Sequence, residues 1–95
     1  MSPAPTTTAV LDRAWELPPS VSVRPESFGA LLYSFSTRRL SFLKDRRLLD
    51  VVQRLPEHAT ARDACAAAGL SEAELPTYAR ALAQLAATDM LQERP

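Results

Sequence analysis

The sequence predicts one small α+β domain, a three-stranded antiparallel sheet followed by a three-helix bundle, and three observations predict it. Apolar residues recur at every second position between residues 20 and 43, the period of a half-buried strand. After Asp45 they recur at three- and four-residue spacings, the period of a helix. The period changes only once, so strands precede helices and no strand–helix–strand crossover arises. Ninety-five residues, 46% of them hydrophobic, suffice for one modest core, which leaves any ligand largely on the surface.

Residues 1–14 are rich in Pro, Thr and Ala and hold few large apolar side chains. They are expected to form a flexible tail, because burial there does not offset the entropy of ordering. The domain is expected to occupy residues 15–95, with Trp15 and Leu17, ahead of Pro18 and Pro19, capping one end of the core. Val21 and Val23 alternate with Ser20, Ser22 and Arg24 in a first strand, which Pro25, Glu26 and Ser27 should end. In the second, Leu31, Tyr33 and Phe35 share a face; Ser36 and Thr37 turn the chain; in the third, Leu40 and Phe42 share a face. Connections this short pair each strand with the preceding one and leave the third at an edge.

Asp45 is a fit N-cap for a first helix on which Leu48, Val51, Val52 and Leu55 recur until Pro56 stops it. Thr60 and Asp63 begin a second, whose face of Ala61, Ala64, Cys65 and Ala68 admits a close neighbour and which Gly69 ends. Ser71 with Glu74 precedes a third, bearing Leu75, Tyr78, Leu82 and Leu85. Pro76 fits there only in a first turn, placing the start near Leu75. Met90 and Leu91 should then fold back on the core as a short extended end.

The chemistry of catalysis is missing from this pattern. The single His58 lies in an interhelical connection, and the single Cys65 lies on an Ala-rich helix face where a small buried hydrophobe is expected. One Cys and one His exclude an internal disulfide framework and a Cys/His zinc site, and two glycines make no phosphate loop. We therefore expect no enzyme activity, no cofactor and no metal. Eleven basic and eleven acidic residues balance, so no overall field draws the chain to nucleic acid or an anionic membrane. With neither a membrane span nor a secretory signal pattern, a cytoplasmic location is expected.

Two features stand out. The second and third helices, joined by a turn at Gly69, make a helix-turn-helix, for which DNA binding by a small winged-helix regulator is the alternative function. Glu72 and Glu74 near the start of the third helix, with Arg80 as its one base, carry the wrong charge for that role. The other feature is the cluster Arg38, Arg39, Lys44, Arg46 and Arg47 around the third strand. A charged rim protects an exposed edge from aggregation, and the same edge can pair with a second copy of the chain. It can also accept an extended peptide as a further strand, with flanking arginines favouring an acidic one.

The strings VRPE, FGALLY and TRRLSFL, within a resemblance reaching from Trp15 to Leu91, are similar to the mycofactocin peptide chaperones of the PqqD-like RiPP recognition element family. That resemblance implies a winged-helix-like fold that binds the leader of a ribosomally made precursor peptide and performs no chemistry. In that family the leader adds antiparallel to the third strand, in the groove beside the third helix. On this chain these positions are Arg38, Arg39, Leu40, Ser41, Phe42 and Leu43, with Tyr78, Ala81, Leu82 and Leu85 on the helix. The implied second partner is a radical S-adenosylmethionine maturase, whose iron–sulfur clusters belong to the maturase.

Overall fold

In the computed structural model, which describes residues 7–94, the periodicities become ten short elements. In chain order these are α1 (Thr7–Leu11), β1 (Trp15–Glu16), β2 (Val21–Glu26), β3 (Gly29–Ser34), β4 (Leu40–Leu43) and α2 (Arg46–Arg54). A 3₁₀ turn (Leu55–Glu57), α3 (Ala61–Ala67), α4 (Leu75–Ala87) and β5 (Gln92–Glu93) follow. The sheet has the order β2-β3-β4, entirely antiparallel, and the α+β, winged-helix-like architecture expected from the sequence is borne out.

Alternation divides the sheet into two unlike faces. Ala30, Leu32 and Ser34 of β3 and Leu43 of β4 are buried against the helices. Leu31 and Tyr33 point the other way, as do Leu40 and Phe42, paired opposite Tyr33 and Leu31 respectively. The residues that the sequence groups on common faces thus do lie together, on the outer face rather than the core face. Gly29 is demanded by the close return of the chain after β4: at φ +152° it leaves no space for a Cβ, which would lie 1.9 Å from the Leu43 carbonyl oxygen.

Pro25 does not end the first long strand. Phe35 N–H donates to Ser20 O at 2.8 Å, and the register places Pro25 opposite Ala30. Antiparallel bonding alternates, so Ser20, Ser22, Arg24 and Glu26 exchange bonds with β3 while Pro25 faces away from it, where its missing N–H costs no ladder bond. Strand β2 therefore runs on to Glu26.

The helix boundaries follow their caps. Asp45 accepts from Arg47 N–H at 2.8 Å, and Thr60 from Asp63 N–H at 3.2 Å. Gly69, at φ +85°, closes α3: Gly69 N–H donates to Ala66 O and Leu70 N–H to Cys65 O, the double bond of a Schellman end. Pro76 sits in the first turn of α4, as the sequence requires. Fully buried Ala61, Ala64 and Cys65 let neighbouring elements approach α3 closely, and Leu32, Leu43, Val51, Val52, Leu82 and Met90 fill the centre.

The expected tail is corrected from Thr7 onward; residues 1–6 lie outside the described residues. Val10 and Leu11 of α1 are buried at 0% and 5% exposure, and α1 packs on α3 and α4. Trp15, 4% exposed, donates its indole N–H to Val10 O at 2.8 Å. The aromatic anchor thus secures the segment before it as well as the core. Met90 and Leu91 fold back as expected, and β5 beyond them pairs with β1.

Candidate functional site

Strand β4 has β3 on one side and no strand on the other, among the described residues. Ser34 N–H donates to Arg39 O at 3.0 Å, and continuing this register gives the direction of each amide. Arg39, Ser41 and Leu43 bond toward β3, whereas Leu40 and Phe42 direct their N–H and C=O groups outward. This free edge borders a cleft of about 210 Å³ between β4, α2 and α4. Its walls are Ser41, Phe42 and Leu43 from β4, Leu48 from α2, Ala81, Gln84 and Leu85 from α4, and Thr88 beyond it.

Of the residues singled out by sequence, the cleft brings together Ser41, Phe42, Leu43, Ala81 and Leu85. Arg38, Arg39 and Leu40 stand exposed at the hairpin end of the strand, Arg38 at φ +60° in the left-handed region. Tyr78 and Leu82 are placed in the core instead, at 8% and 0% exposure. Gln84 and Thr88 were missed, although they lie three and seven residues after Ala81 and so follow its helix stripe. Leu48 had no local signal, since it belongs to the cleft only through the packing of α2 behind β4.

A polar network fixes α4 relative to β4. One Asp45 carboxylate oxygen caps α2, and the other accepts from the Tyr78 hydroxyl. Burial, followed by that carboxylate, pushes the Tyr78 hydroxyl up to about 12, so it remains a donor. Arg47 grips Glu74 through two bonds, of 2.6 and 3.1 Å, and reaches Gly69 O at 3.1 Å. The Ser71 amide, and then Arg47, hold the Glu74 carboxyl below the usual carboxylate range. Arg47 is thereby withdrawn from the basic cluster. Arg38, Arg39, Lys44 and Arg46 keep their charges exposed, with no ion pair to another described residue.

The arrangement offers backbone pairing, apolar contact and positive charge. Cys65 is fully buried, and burial pushes its thiol up to about 11, far from a thiolate at neutral pH. Among the described residues no group of His, Cys, Asp or Glu is placed to hold a metal, and no helix is long and apolar enough to cross a membrane. The outer side of α4 presents Arg80 as the helix's one cation, while Glu74 is held by Arg47.

Comparison with known proteins gives one consistent result. Residues 14–92 match the model of the Peptide chaperone MftB family. The chain is 52% identical over 83 residues to the peptide chaperone MftB of Mycobacterium tuberculosis, covering 87% of this chain and 76% of that protein. It is 54% identical over 80 residues to that of Mycobacterium ulcerans, covering 84% and 73% respectively. No solved structure matches the chain.

Proposed function

Because the chain belongs to the Peptide chaperone MftB family, whose role is non-catalytic, we propose that it acts by capturing a precursor-peptide leader on the free edge of β4. The leader pairs antiparallel with the outward amide and carbonyl groups of Leu40 and Phe42. Side chains of one parity enter the cleft between β4 and α4. The observation that carries this reading is the coincidence of an unpaired strand edge with an apolar cleft along Ser41, Phe42 and Leu43.

Arg38 and Arg39 stand at the hairpin end of the edge and draw an acidic leader, acting mainly on the association rate. The bound peptide is presented to a radical S-adenosylmethionine maturase of mycofactocin biosynthesis in the cytoplasm. The chaperone raises the effective concentration of the modified segment at that enzyme and supplies no reacting group.

Titration with a mycofactocin precursor peptide tests the reading. Saturable one-to-one binding is expected, weakening as salt rises and associating more slowly when Arg38 and Arg39 are both replaced by Glu. Absence of saturable binding contradicts peptide capture, and tight binding of duplex DNA in its place supports the winged-helix regulator.

A further inference from the structure

The largest unexplained feature of the molecule is the outer face of the sheet. Phe28, Phe35, Leu40 and Phe42 are 46%, 66%, 57% and 59% exposed. They form one surface with partly buried Leu31 and Tyr33: Leu31 lies opposite Phe42 and Tyr33 opposite Leu40. The rings are already arranged in pairs. Phe28 and Phe42 lie 6.4 Å apart between centroids, and Tyr33 and Phe35 meet edge to face at 4.9 Å. A contiguous apolar patch with fixed aromatics is the anatomy of an interface centre rather than of ordinary surface.

Charge selects the occupant. The chain as a whole is neutral, yet residues 21–44 carry four cations, Arg24, Arg38, Arg39 and Lys44, and one carboxylate, Glu26, which Arg24 already holds at 3.0 Å. A second copy docked on this face would bring like charges together. The face also continues from the proposed peptide site, since Phe42 borders the cleft and carries its ring onto the outer surface. A leader added to β4 would form a fourth strand, with its alternate side chains beside Leu40 and Phe42.

We propose that the outer face of β2-β3-β4 is the docking surface for the peptide-modifying partner enzyme, which meets it with an apolar patch rimmed by carboxylates. The inference rests on the reading above and adds the surface to it. Contact on this face places the enzyme against chaperone and bound peptide together.

The test separates the two claims by measuring peptide affinity and enzyme affinity independently. Phe35→Ser, and separately Arg24→Glu, alter exposed positions away from the β4 edge, and circular dichroism confirms that each variant folds. Each is expected to weaken binding to the partner maturase at least tenfold while changing precursor-peptide affinity less than twofold. Unchanged maturase affinity in both folded variants overturns the proposal even if the peptide still binds. It is equally overturned if the wild-type face serves self-association, seen as a dimer in sedimentation that Phe35→Ser abolishes. Binding of wild type to phosphatidylglycerol vesicles, lost in the variants while maturase affinity stays, also overturns it. Loss of peptide binding by wild type itself instead refutes the capture reading, and the maturase measurement without peptide still decides the docking face.

Discussion

The two edges of one small sheet are built differently. Along the outer side of β2, Val21 N–H is taken by Pro18 O at 2.9 Å and Pro25 has no N–H, so Val23 alone presents an amide outward. Along the outer side of β4, Leu40 and Phe42 both present theirs, and the cleft against α4 runs beside Phe42. Sheet edges invite indiscriminate pairing, and proline is a common means of closing one. Here the device is applied to β2 and withheld from β4. An edge left open beside an apolar cleft, in a sheet whose other edge is largely closed, is what the proposed strand addition requires.

The largest expected effect comes from removing what supports the open edge from behind. Deleting residues 1–11 takes away buried Val10 and Leu11 and the acceptor of the Trp15 indole. At about 1.5–3 kcal/mol for each buried side chain, the loss should be several kcal/mol, measured by urea denaturation. A variant as stable as the full chain would show that α1 does not brace α4.

Proline at neighbouring positions of β4 sharpens the contrast between inward and outward amides. Ser41→Pro removes an N–H bonded to β3 and should destabilise the fold by on the order of 3 kcal/mol. Leu40→Pro removes an outward N–H and should leave the circular dichroism spectrum near wild type. Relative to Leu40→Ala, which keeps that N–H, it should bind the precursor peptide several-fold more weakly, about 1 kcal/mol. Equal affinity of the two Leu40 variants would count against strand addition.

The smallest effect is on acid stability. Glu74 has its carboxyl lowered in the fold, so its contribution is present above the unfolded carboxylate value of about 4.3 and is lost as pH falls through the folded value. Thermal stability should therefore hold from neutral pH to about 5 and decline below 4, with Glu74→Gln removing part of that decline. A melting profile with the same acid limb in both proteins would show that the Arg47–Glu74 contact is not coupled to folding.

The sheet order, the three longer helices and the N-caps of α2 and α3 were legible because each depends on nearby residues, a period with an Asp or Thr before it; α4 has Glu74 at its N-cap with no side-chain cap bond, in place of a Ser71 cap. The extension of β2 through Pro25 was not legible, since the consequence of a proline depends on which side of the strand its nitrogen faces. Nor was α1, where the segment TTAVL offers two large apolar residues and needs Trp15 and α4 to bury them. Within the candidate site, the strand positions are local and readable. Helix α4 carries two adjoining stripes, a core one through Leu75, Tyr78 and Leu82 and a cleft one through Ala81, Gln84 and Thr88, with Leu85 serving both. Apolarity alone selects the first stripe, and Leu48 enters the cleft only by tertiary packing.

Amide hydrogen exchange, read residue by residue with and without saturating precursor peptide, tests strand capture most directly. The account predicts that the Leu40 and Phe42 amides, exposed along the free edge, become strongly protected when peptide is bound, while the Val23 amide on the opposite edge exchanges as before. Bound peptide with unprotected Leu40 and Phe42 amides, or with protection appearing at Val23 instead, would contradict it.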